Sequence, residues 1–179
     1  MRPGLGYQAQ MAAPLTFRPA TPADRTELIA LQWRSALGNP RDREVLLANT
    51  DAIDILPEHL TAGRTVIAVL HGANAGFAVV LPRADGDAEL DGLFVDPASW
   101  KLGIGRALCS QAIGLARAMG AGWLHVVANP EAVDFYRNAG FEPAGETETR
   151  FGPAPLLRLR LQDRRRPFED EVTTVCSTP

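Results

Sequence analysis

The stretch that decides the fold is L-F-V-D-P-A-S-W-K-L-G-I-G-R-A-L, residues 93–108. An apolar run ends at Asp96-Pro97, a polar turn follows, and Gly103-Ile104-Gly105 opens a segment whose apolar residues recur at helical spacing. This order predicts a strand, a loop and the start of a helix. Glycine lets a ligand approach the backbone closely, and the first N–H groups of a helix have no partner within it. The stretch therefore predicts a cradle for an anionic group such as a phosphate.

Two common nucleotide-binding motifs do not fit this cradle. Leu108 stands where a dinucleotide fingerprint requires its third glycine, and no Lys-Ser or Lys-Thr pair follows the glycines as a P-loop requires. The cradle must therefore be of another kind.

The same stretch resembles motif A of the GCN5-related N-acetyltransferase (GNAT) family. In that motif a strand ending in Val, an Asp-Pro or similar pair, and R/Q-x-x-G-x-G/A lead into a long helix. The residues in register are Val95, Asp96, Pro97, Gly103, Gly105, Ala107 and Leu108. Trp100 departs from the pattern, because the family most often has Arg or Gln there. The resemblance implies that the N–H groups of residues 102–106 hold the pyrophosphate of acetyl-CoA.

A second motif follows at residues 129–141, N-P-E-A-V-D-F-Y-R-N-A-G-F. Pro130 suits the first position of a helix, and Gly140 suits its C-terminal end. The run resembles the family's motif B, N-x-x-A-x-x-F-Y-x-x-x-G-F. Because the two motifs occur in the right order with a predicted strand between them, the chain is identified as a member of the GNAT family. The resemblance covers about residues 15–161.

The hydrophobic pattern predicts a mixed α/β (α+β) fold with one central sheet. The predicted strands are residues 15–18, 65–70, 76–81, 88–95, 123–128, 142–150 and 155–161; the main predicted helices are about 21–37 and 103–119, with a short one after Pro40. Short turns make the middle strands an antiparallel meander, whereas the crossover from strand 88–95 through the long helix to strand 123–128 predicts a parallel pair. The expected organisation is a flexible lead-in (1–14), a GNAT domain (15–162) and a flexible tail (163–179).

Composition favours a soluble globular protein. The 179 residues have a net charge of −3 and are 46% hydrophobic, without the clustered Lys and Arg of a nucleic-acid footprint. No apolar run reaches membrane-span length and no signal-peptide core is seen at the start, so the expected location is cytoplasmic, with no membrane partner. Cys109 and Cys176 form neither a disulfide framework nor a ligand cluster, and no metal is expected.

Acetyl transfer to an amine requires a group that removes the amine proton. By the period-two rule Glu89, Asp91, Leu93 and Val95 are expected to share one face of their strand. Many family members carry a base, direct or through water, at the position of Glu89. Glu89, Asp91 and a water chain remain alternatives, as does an ordinary solvated role for both carboxylates.

The departing thiolate is better protonated, and a phenol can supply that proton. Tyr136 occupies the position of the family's usual acid; the alternative is a tyrosine that only packs on the core. Asn129 is expected to contact the pantetheine arm, to cap the following helix, or both. The pantetheine amides are expected to pair with the main chain of strand 88–95 like an added strand. The complete set of expected cofactor-binding residues is Leu93, Phe94, Val95, Trp100, Lys101, Leu102, Gly103, Ile104, Gly105, Arg106, Asn129 and Tyr136.

These features predict an N-acetyltransferase that moves the acetyl group of acetyl-CoA to a primary amine by direct attack in a ternary complex. No Ser/His/Asp or Cys/His arrangement supports a covalent relay, and Cys109 lies in an apolar helix. The alternative is a non-catalytic acyl-CoA-binding or regulatory module, which would need neither Glu89 nor Tyr136. The expected partner is a small-molecule or peptide amine, and a homodimer is left open.

Overall fold

The structure is a computed structural model, and it describes residues 14–161 apart from the side chains of residues 41 and 42. The expected lead-in and tail lie almost wholly outside this range. The described strands are β1 (Thr16–Pro19), β2 (Thr65–Leu70), β3 (Ala73–Pro82), β4 (Ala88–Val95), β5 (Trp123–Val127), β6 (Glu142–Thr149) and β7 (Gly152–Arg160). The described α-helices are α1 (Arg25–Leu37), α2 (Pro40–Ala48), α3 (Pro57–Thr61), α4 (Ile104–Ala118) and α5 (Val133–Asn138).

All seven strands form one sheet in the order β1-β2-β3-β4-β5-β7-β6. The β4–β5 pair is parallel and every other neighbouring pair is antiparallel. The predicted mixed sheet with one parallel βαβ unit is therefore confirmed. The parallel pairing is short, joining only Ala88 to Leu124 and Glu89 to His125. Beyond Glu89 the strand β4 has no β5 partner, and the sheet opens there.

The sheet separates two apolar cores. On one face α4 packs with buried residues such as Leu108 and Ala112. On the other face α1 and α3 pack with a second cluster that includes Leu28 and Leu60. Burying a side chain of this size contributes about 1.5–3 kcal/mol, so both faces help to fix the sheet. Among residues 14–161, no helix combines the length and apolar character that a membrane span requires.

A β-bulge in β4 overturns one sequence expectation. Leu90 pairs with Val80 and Gly92 pairs with the neighbouring Val79, so Asp91 is an extra residue without a partner on β3. Such a bulge interrupts the alternation of side chains. As a result Ala88, Leu90, Leu93 and Val95 all pack in the α4 core. Glu89, between two of them, points to the opposite face, so the expectation that Glu89 shares a face with Leu93 and Val95 is wrong.

The last turn also differs from the sequence expectation, because β7 begins at Gly152 rather than at 155. The Thr149 hydroxyl donates to the Gly152 carbonyl at 2.7 Å and accepts the Phe151 N–H at 3.1 Å. Gly152 has φ 105°, which favours glycine. Pro153 therefore does not interrupt pairing, and the β6–β7 turn is tight.

Candidate active site

A pocket of about 540 Å³ lies where β4 and β5 diverge, against the start of α4. It is lined by Ser35, Leu93, Val95, Ser99, Trp100, Lys101, Gly103, Ile104, Gly105, Arg106, Ala132, Phe135 and Tyr136. The pocket thus brings together most of the residues that the two sequence motifs single out. We call it the cradle pocket.

The cradle is formed by a loop with two left-handed residues. Lys101 has φ 65° and Gly103, the N-cap of α4, has φ 79°. A β-carbon at Gly103 would meet no neighbour, so the backbone angle rather than space favours glycine there. A β-carbon at Gly105 would lie 3.6 Å from Phe135 and 3.7 Å from Val95, two residues that line the pocket. The floor beside the free N–H groups of α4 is therefore kept open, as an anionic group requires.

The register of β4 exposes its main chain to the same pocket. Asp96 donates its N–H to the Ala75 carbonyl at 2.9 Å, one position beyond the Val95–Gly76 pair of the antiparallel ladder. Because hydrogen-bonding direction alternates along such a ladder, the main-chain groups of Val95 and Leu93 point away from β3. No β5 residue pairs with them. This edge can therefore pair with an extended ligand that carries amide groups.

Trp100 holds the loop against two other elements. Its indole N–H donates to the Val95 carbonyl at 2.9 Å. A β-carbon at Gly38, just after α1, would lie 2.5 Å from the indole ring. Gly38 therefore makes room for the ring, and the indole connects the end of β4 to the end of α1. The sequence predicted Trp100 as a cofactor-binding residue but did not predict these two contacts, which hold the loop in place.

An ion pair fixes the other side of the loop. Asp96 accepts the Ala98 N–H at 3.0 Å and pairs with Arg34 of α1, whose Nη2 lies 2.7 Å from Asp96 Oδ2. Sequence reasoning missed Arg34, because nothing local to α1 marks a partner so far along the chain. The loop is thus held from both of its flanks.

Tyr136 lies at the inner wall of the cradle pocket and is 7% exposed. Its ring packs edge-on against Phe135 and Phe141, with centroids 5.0 Å and 5.4 Å away. Burial, with a smaller contribution from nearby Cys109, raises the pKa of Tyr136 well above its usual range. No protein acceptor for the hydroxyl is seen among the described residues. The phenol therefore keeps its proton at neutral pH, and Tyr136 is among the residues that line the pocket.

The carboxylates of β4 have different surroundings. Glu89 Oε2 lies 3.2 Å from Arg83, which also pairs with Asp85 at 3.0 Å. Asp91 reaches the surface, yet nearby protein atoms displace enough water to raise the pKa of its carboxyl, an effect that the charge of His59 opposes. Glu89 is thus paired with a cation, whereas the surroundings of Asp91 raise the pKa of its carboxyl.

His125 lies beside Glu89 on the neighbouring strand. Its Nε2 is 3.1 Å from Asp87 Oδ2, and its buried Nδ1 has no hydrogen-bond partner within residues 14–161. The other carboxylate oxygen of Asp87 accepts the Trp123 N–H at 2.9 Å. Asp87 therefore ties the start of β5 to the start of β4, immediately before the two strands diverge.

Comparison with known proteins shows which family contains this site. The model of the Acetyltransferase (GNAT) family matches residues 26–141. The chain belongs to the GNAT acetyltransferase family. The match includes β4, the cradle, α4, β5 and α5, so the pocket is part of the shared domain. No curated protein matches the chain in sequence.

Solved structures share the GNAT fold. A putative GNAT acetyltransferase from Desulfovibrio desulfuricans is 22% identical, with a TM-score of 0.64, over 83% of this chain and 100% of its own. N-acetylglutamate synthase from Neisseria gonorrhoeae, complexed with coenzyme A and N-acetyl-glutamate, is 23% identical, with a TM-score of 0.65, over 84% of this chain and 36% of its own. The putative acetyltransferase yncA from Salmonella typhimurium, with its cofactor acetyl-CoA, is 17% identical, with a TM-score of 0.61, over 88% of this chain and 99% of its own.

Three of the expected cofactor-binding residues do not line the cradle pocket of this GNAT domain. The Phe94 ring packs on Phe77 in the α1 core, with centroids 5.2 Å apart. The Leu102 side chain is 62% exposed. Asn129 caps the turn before α5 by accepting the Glu131 N–H at 2.9 Å. The Phe94 side chain therefore lies on the opposite face of the sheet from the residues that line this pocket.

Asn129 lines a second pocket of about 410 Å³. Its other lining residues come from α2 (Val45, Leu46), the end of β5 and the following turn (Val127, Ala128, Pro130), and the β6–β7 turn (Thr149, Phe151, Gly152, Pro153, Ala154). The short 3-10 turn Pro130–Ala132 contributes Pro130 to this pocket and Ala132 to the cradle pocket. The two pockets are therefore neighbours on either side of one turn.

Proposed function

We propose that this chain is an N-acetyltransferase that transfers the acetyl group of acetyl-CoA to a primary amine of a small molecule or peptide. The observation that carries the proposal is the convergence of three features on one pocket: the cradle at the start of α4, the unpaired edge of β4 and the buried phenol of Tyr136. A binding module would need only the first two. The phenol in the same pocket favours an enzyme.

The cradle pocket suits acetyl-CoA on the chemistry of its donors. The N–H groups of residues 102–106 would hold the pyrophosphate. The main chain of Leu93 and the N–H of Val95, whose carbonyl accepts the Trp100 indole N–H, would pair with the pantetheine amides. The Gly105 position, where a β-carbon would extend beside Val95 and Phe135, fits a close approach of ligand to backbone. Bound there, acetyl-CoA supplies an activated acyl group and a thiolate leaving group.

The residues of the chain then supply proton transfer and orientation. An alkylammonium with a pKa of about 10.4 is almost wholly protonated at neutral pH, so the reaction needs a group that removes the proton. We assign this step to Glu89 or Asp91, directly or through water. Tyr136 holds the proton that the leaving sulfur receives. The main-chain N–H groups of β4 stabilise negative charge that develops on the acyl oxygen.

Direct attack in a ternary complex fits the state of Cys109, the one cysteine among residues 14–161. Cys109 is 1% exposed, and its burial raises the pKa of the thiol to about 11. A thiol in that state is a poor nucleophile at neutral pH. The amine itself is therefore the group that attacks.

The proposal is tested by supplying acetyl-CoA and a panel of primary amines, measuring thiol release and identifying each product by mass. We expect thiol release that depends on the amine and yields an N-acetylated product in equal amount. The matched control omits the amine, which measures the thiol released by hydrolysis of acetyl-CoA alone. Tight acetyl-CoA binding with no acetylated amine across the panel would instead indicate a binding module.

A further inference from the structure

The second pocket, between α2, the end of β5 and the β6–β7 turn, has a chemical character of its own. Its side chains are mainly aliphatic, aromatic or proline, and none of the described residues that line it carries a charge. Phe151 is 51% exposed and Val45 is 44% exposed, although both are large apolar side chains. Water therefore covers apolar surface that a suitable ligand would bury.

The two polar side chains that line this pocket, Thr149 and Asn129, make hydrogen bonds within the protein. The Thr149 hydroxyl donates to the Gly152 carbonyl and accepts the Phe151 N–H. The Asn129 side-chain oxygen accepts the Glu131 N–H. The nearest charged group is the Arg150 guanidinium, 5.0 Å from the centre of the Phe151 ring, and it is already paired with Asp51. A carboxylate or a second ammonium group entering this pocket would therefore lose water without gaining an unpaired charged partner from the described residues, which is costly.

The pocket is limited in length because its two side walls are joined. Arg150 of the β6–β7 turn donates to Asn49 Oδ1 at 3.1 Å and pairs with Asp51 at 3.3 Å. Asn49 in turn donates to the Val45 carbonyl at 2.8 Å. These contacts tie the turn to the end of α2, so the space between them suits a compact group better than an extended chain.

The pocket also has a defined relation to the proposed reaction. Val127, in its floor, lies two residues beyond His125 on β5, and therefore on the same face of the sheet. His125 is paired with Glu89 of β4. A compact group in the second pocket would thus lie about 7 Å along the strand from the candidate base, which is the distance of two strand residues.

We propose that the second pocket binds the side group of the acceptor, and that the acceptor is a small primary amine carrying an uncharged aromatic or branched aliphatic group. This inference rests on the proposed function, since it names the substrate class for that reaction. Amino acids, whose carboxylates remain charged, and polycationic amines are poor acceptors. The pocket thereby selects against charge, and its volume of about 410 Å³ selects for compact groups.

The first test compares matched acceptors. Phenethylamine and phenylalanine differ only in the carboxylate, and spermidine supplies a polycation without an aromatic group. We expect kcat/KM for phenethylamine to exceed that for phenylalanine and that for spermidine by about 100-fold. The reason is that an acceptor with an additional charge must bury that charge without a partner. Equal or faster acetylation of phenylalanine, of spermidine or of a peptide N-terminus would overturn the proposal.

The second test fills the pocket. Ala154→Phe should raise the KM for phenethylamine about tenfold or more while leaving the KM for acetyl-CoA unchanged, because Ala154 lines only the second pocket. The matched control is Ala118→Phe at an exposed position near the end of α4. Phe151→Ala, at an exposed turn position, provides a variant that keeps the fold and should also raise that KM. Unchanged KM values in both pocket variants would contradict the assignment.

A binding measurement separates this inference from the proposed function. Saturation-transfer NMR with 2-phenylethanol, which lacks the amine, should detect binding to the full chain and loss of binding in Ala154→Phe. That result would support the preference of the second pocket for an uncharged aromatic group. If no amine were acetylated, the proposed function would fail and this inference would still stand. No binding of 2-phenylethanol, or equal binding to Ala154→Phe, would overturn the inference whatever the enzyme's activity.

Discussion

The indole N–H of Trp100 donates to the carbonyl oxygen of Val95 at 2.9 Å, which closes the loop between β4 and α4 upon itself. Trp100 thus takes up a main-chain acceptor at the open edge of β4. Because Val95 also lines the cradle pocket, this contact sets the position of the edge that would pair with the pantetheine arm.

Trp100→Phe is expected to weaken this arrangement without unfolding the domain. The change keeps an aromatic ring but removes the N–H, and a neutral hydrogen bond contributes about 0.5–1.5 kcal/mol. The affinity for acetyl-CoA should fall by about two- to tenfold, measured by isothermal titration calorimetry. Trp123→Phe, at the first residue of β5 and outside the cradle pocket, is the matched control. Equal affinities for Trp100→Phe and the wild type would remove Trp100 from the site.

Gly105→Ala separates the stability of the fold from binding. The added β-carbon makes ordinary contacts at 3.6 Å and 3.7 Å, so the thermal midpoint should stay the same or rise. The methyl group nevertheless extends into the cradle pocket, so acetyl-CoA should raise the midpoint less than in the wild type. Gly114→Ala, in open space on α4, should gain stability while keeping the full acetyl-CoA effect. An undiminished acetyl-CoA effect in Gly105→Ala would contradict the placement of the cradle.

Asp91→Asn should make the protein more stable at neutral pH. Desolvation raises the pKa of Asp91 in the folded state, so the ionised carboxylate is less favourable there than in the unfolded chain. Asparagine removes that cost. As pH falls below both pKa values, the carboxyl becomes neutral in both states and the difference from Asn should disappear. Urea unfolding from pH 3 to pH 7 measures this, and a constant difference across that range would show that the ionised group is not the cause.

Glu89 and Asp91, the two candidate bases, should affect catalysis differently from ordinary surface carboxylates. Removing the base slows the reaction most where the amine is protonated, so the deficit in kcat/KM should shrink as pH rises toward the pKa of the acceptor. Glu89→Gln and Asp91→Asn identify which carboxylate shows this profile, with Asp85→Asn as a control that also alters the Arg83 ion pairs. Deficits that do not vary with pH in either variant would leave a water chain as the path of the amine proton.

Local sequence predicted the parts of the site that depend on local geometry. The glycines before α4 and the Asn-Pro turn before α5 each specify how a strand passes into a helix, and both transitions lie where the pattern places them. The bulge at Asp91 was not predictable in this way, because period-two reasoning assumes that no residue is added to one strand of a pair. Its consequence is large, since Glu89 lies on the other face from Leu93.

Contacts between segments that are far apart in the chain could not be predicted from local sequence either. Arg34 pairs with Asp96 and Gly38 accommodates Trp100 only because α1 packs beside the end of β4. Neither residue has an unusual sequence neighbourhood. The second pocket likewise depends on α2, β5 and the β6–β7 turn coming together, and the sequence pattern predicted no acceptor preference.

Measuring kcat for Tyr136→Phe against pH tests the central claim most directly. The substitution keeps the ring that packs between Phe135 and Phe141 but removes the proton that burial retains on the phenol. We predict unchanged acetyl-CoA binding and a kcat about 10²- to 10⁴-fold lower, equivalent to roughly 3 to 5 kcal/mol of barrier. Because the raised pKa keeps the phenol protonated, this deficit should stay constant between pH 6 and about pH 9. Wild-type kcat in Tyr136→Phe across that range would contradict the account.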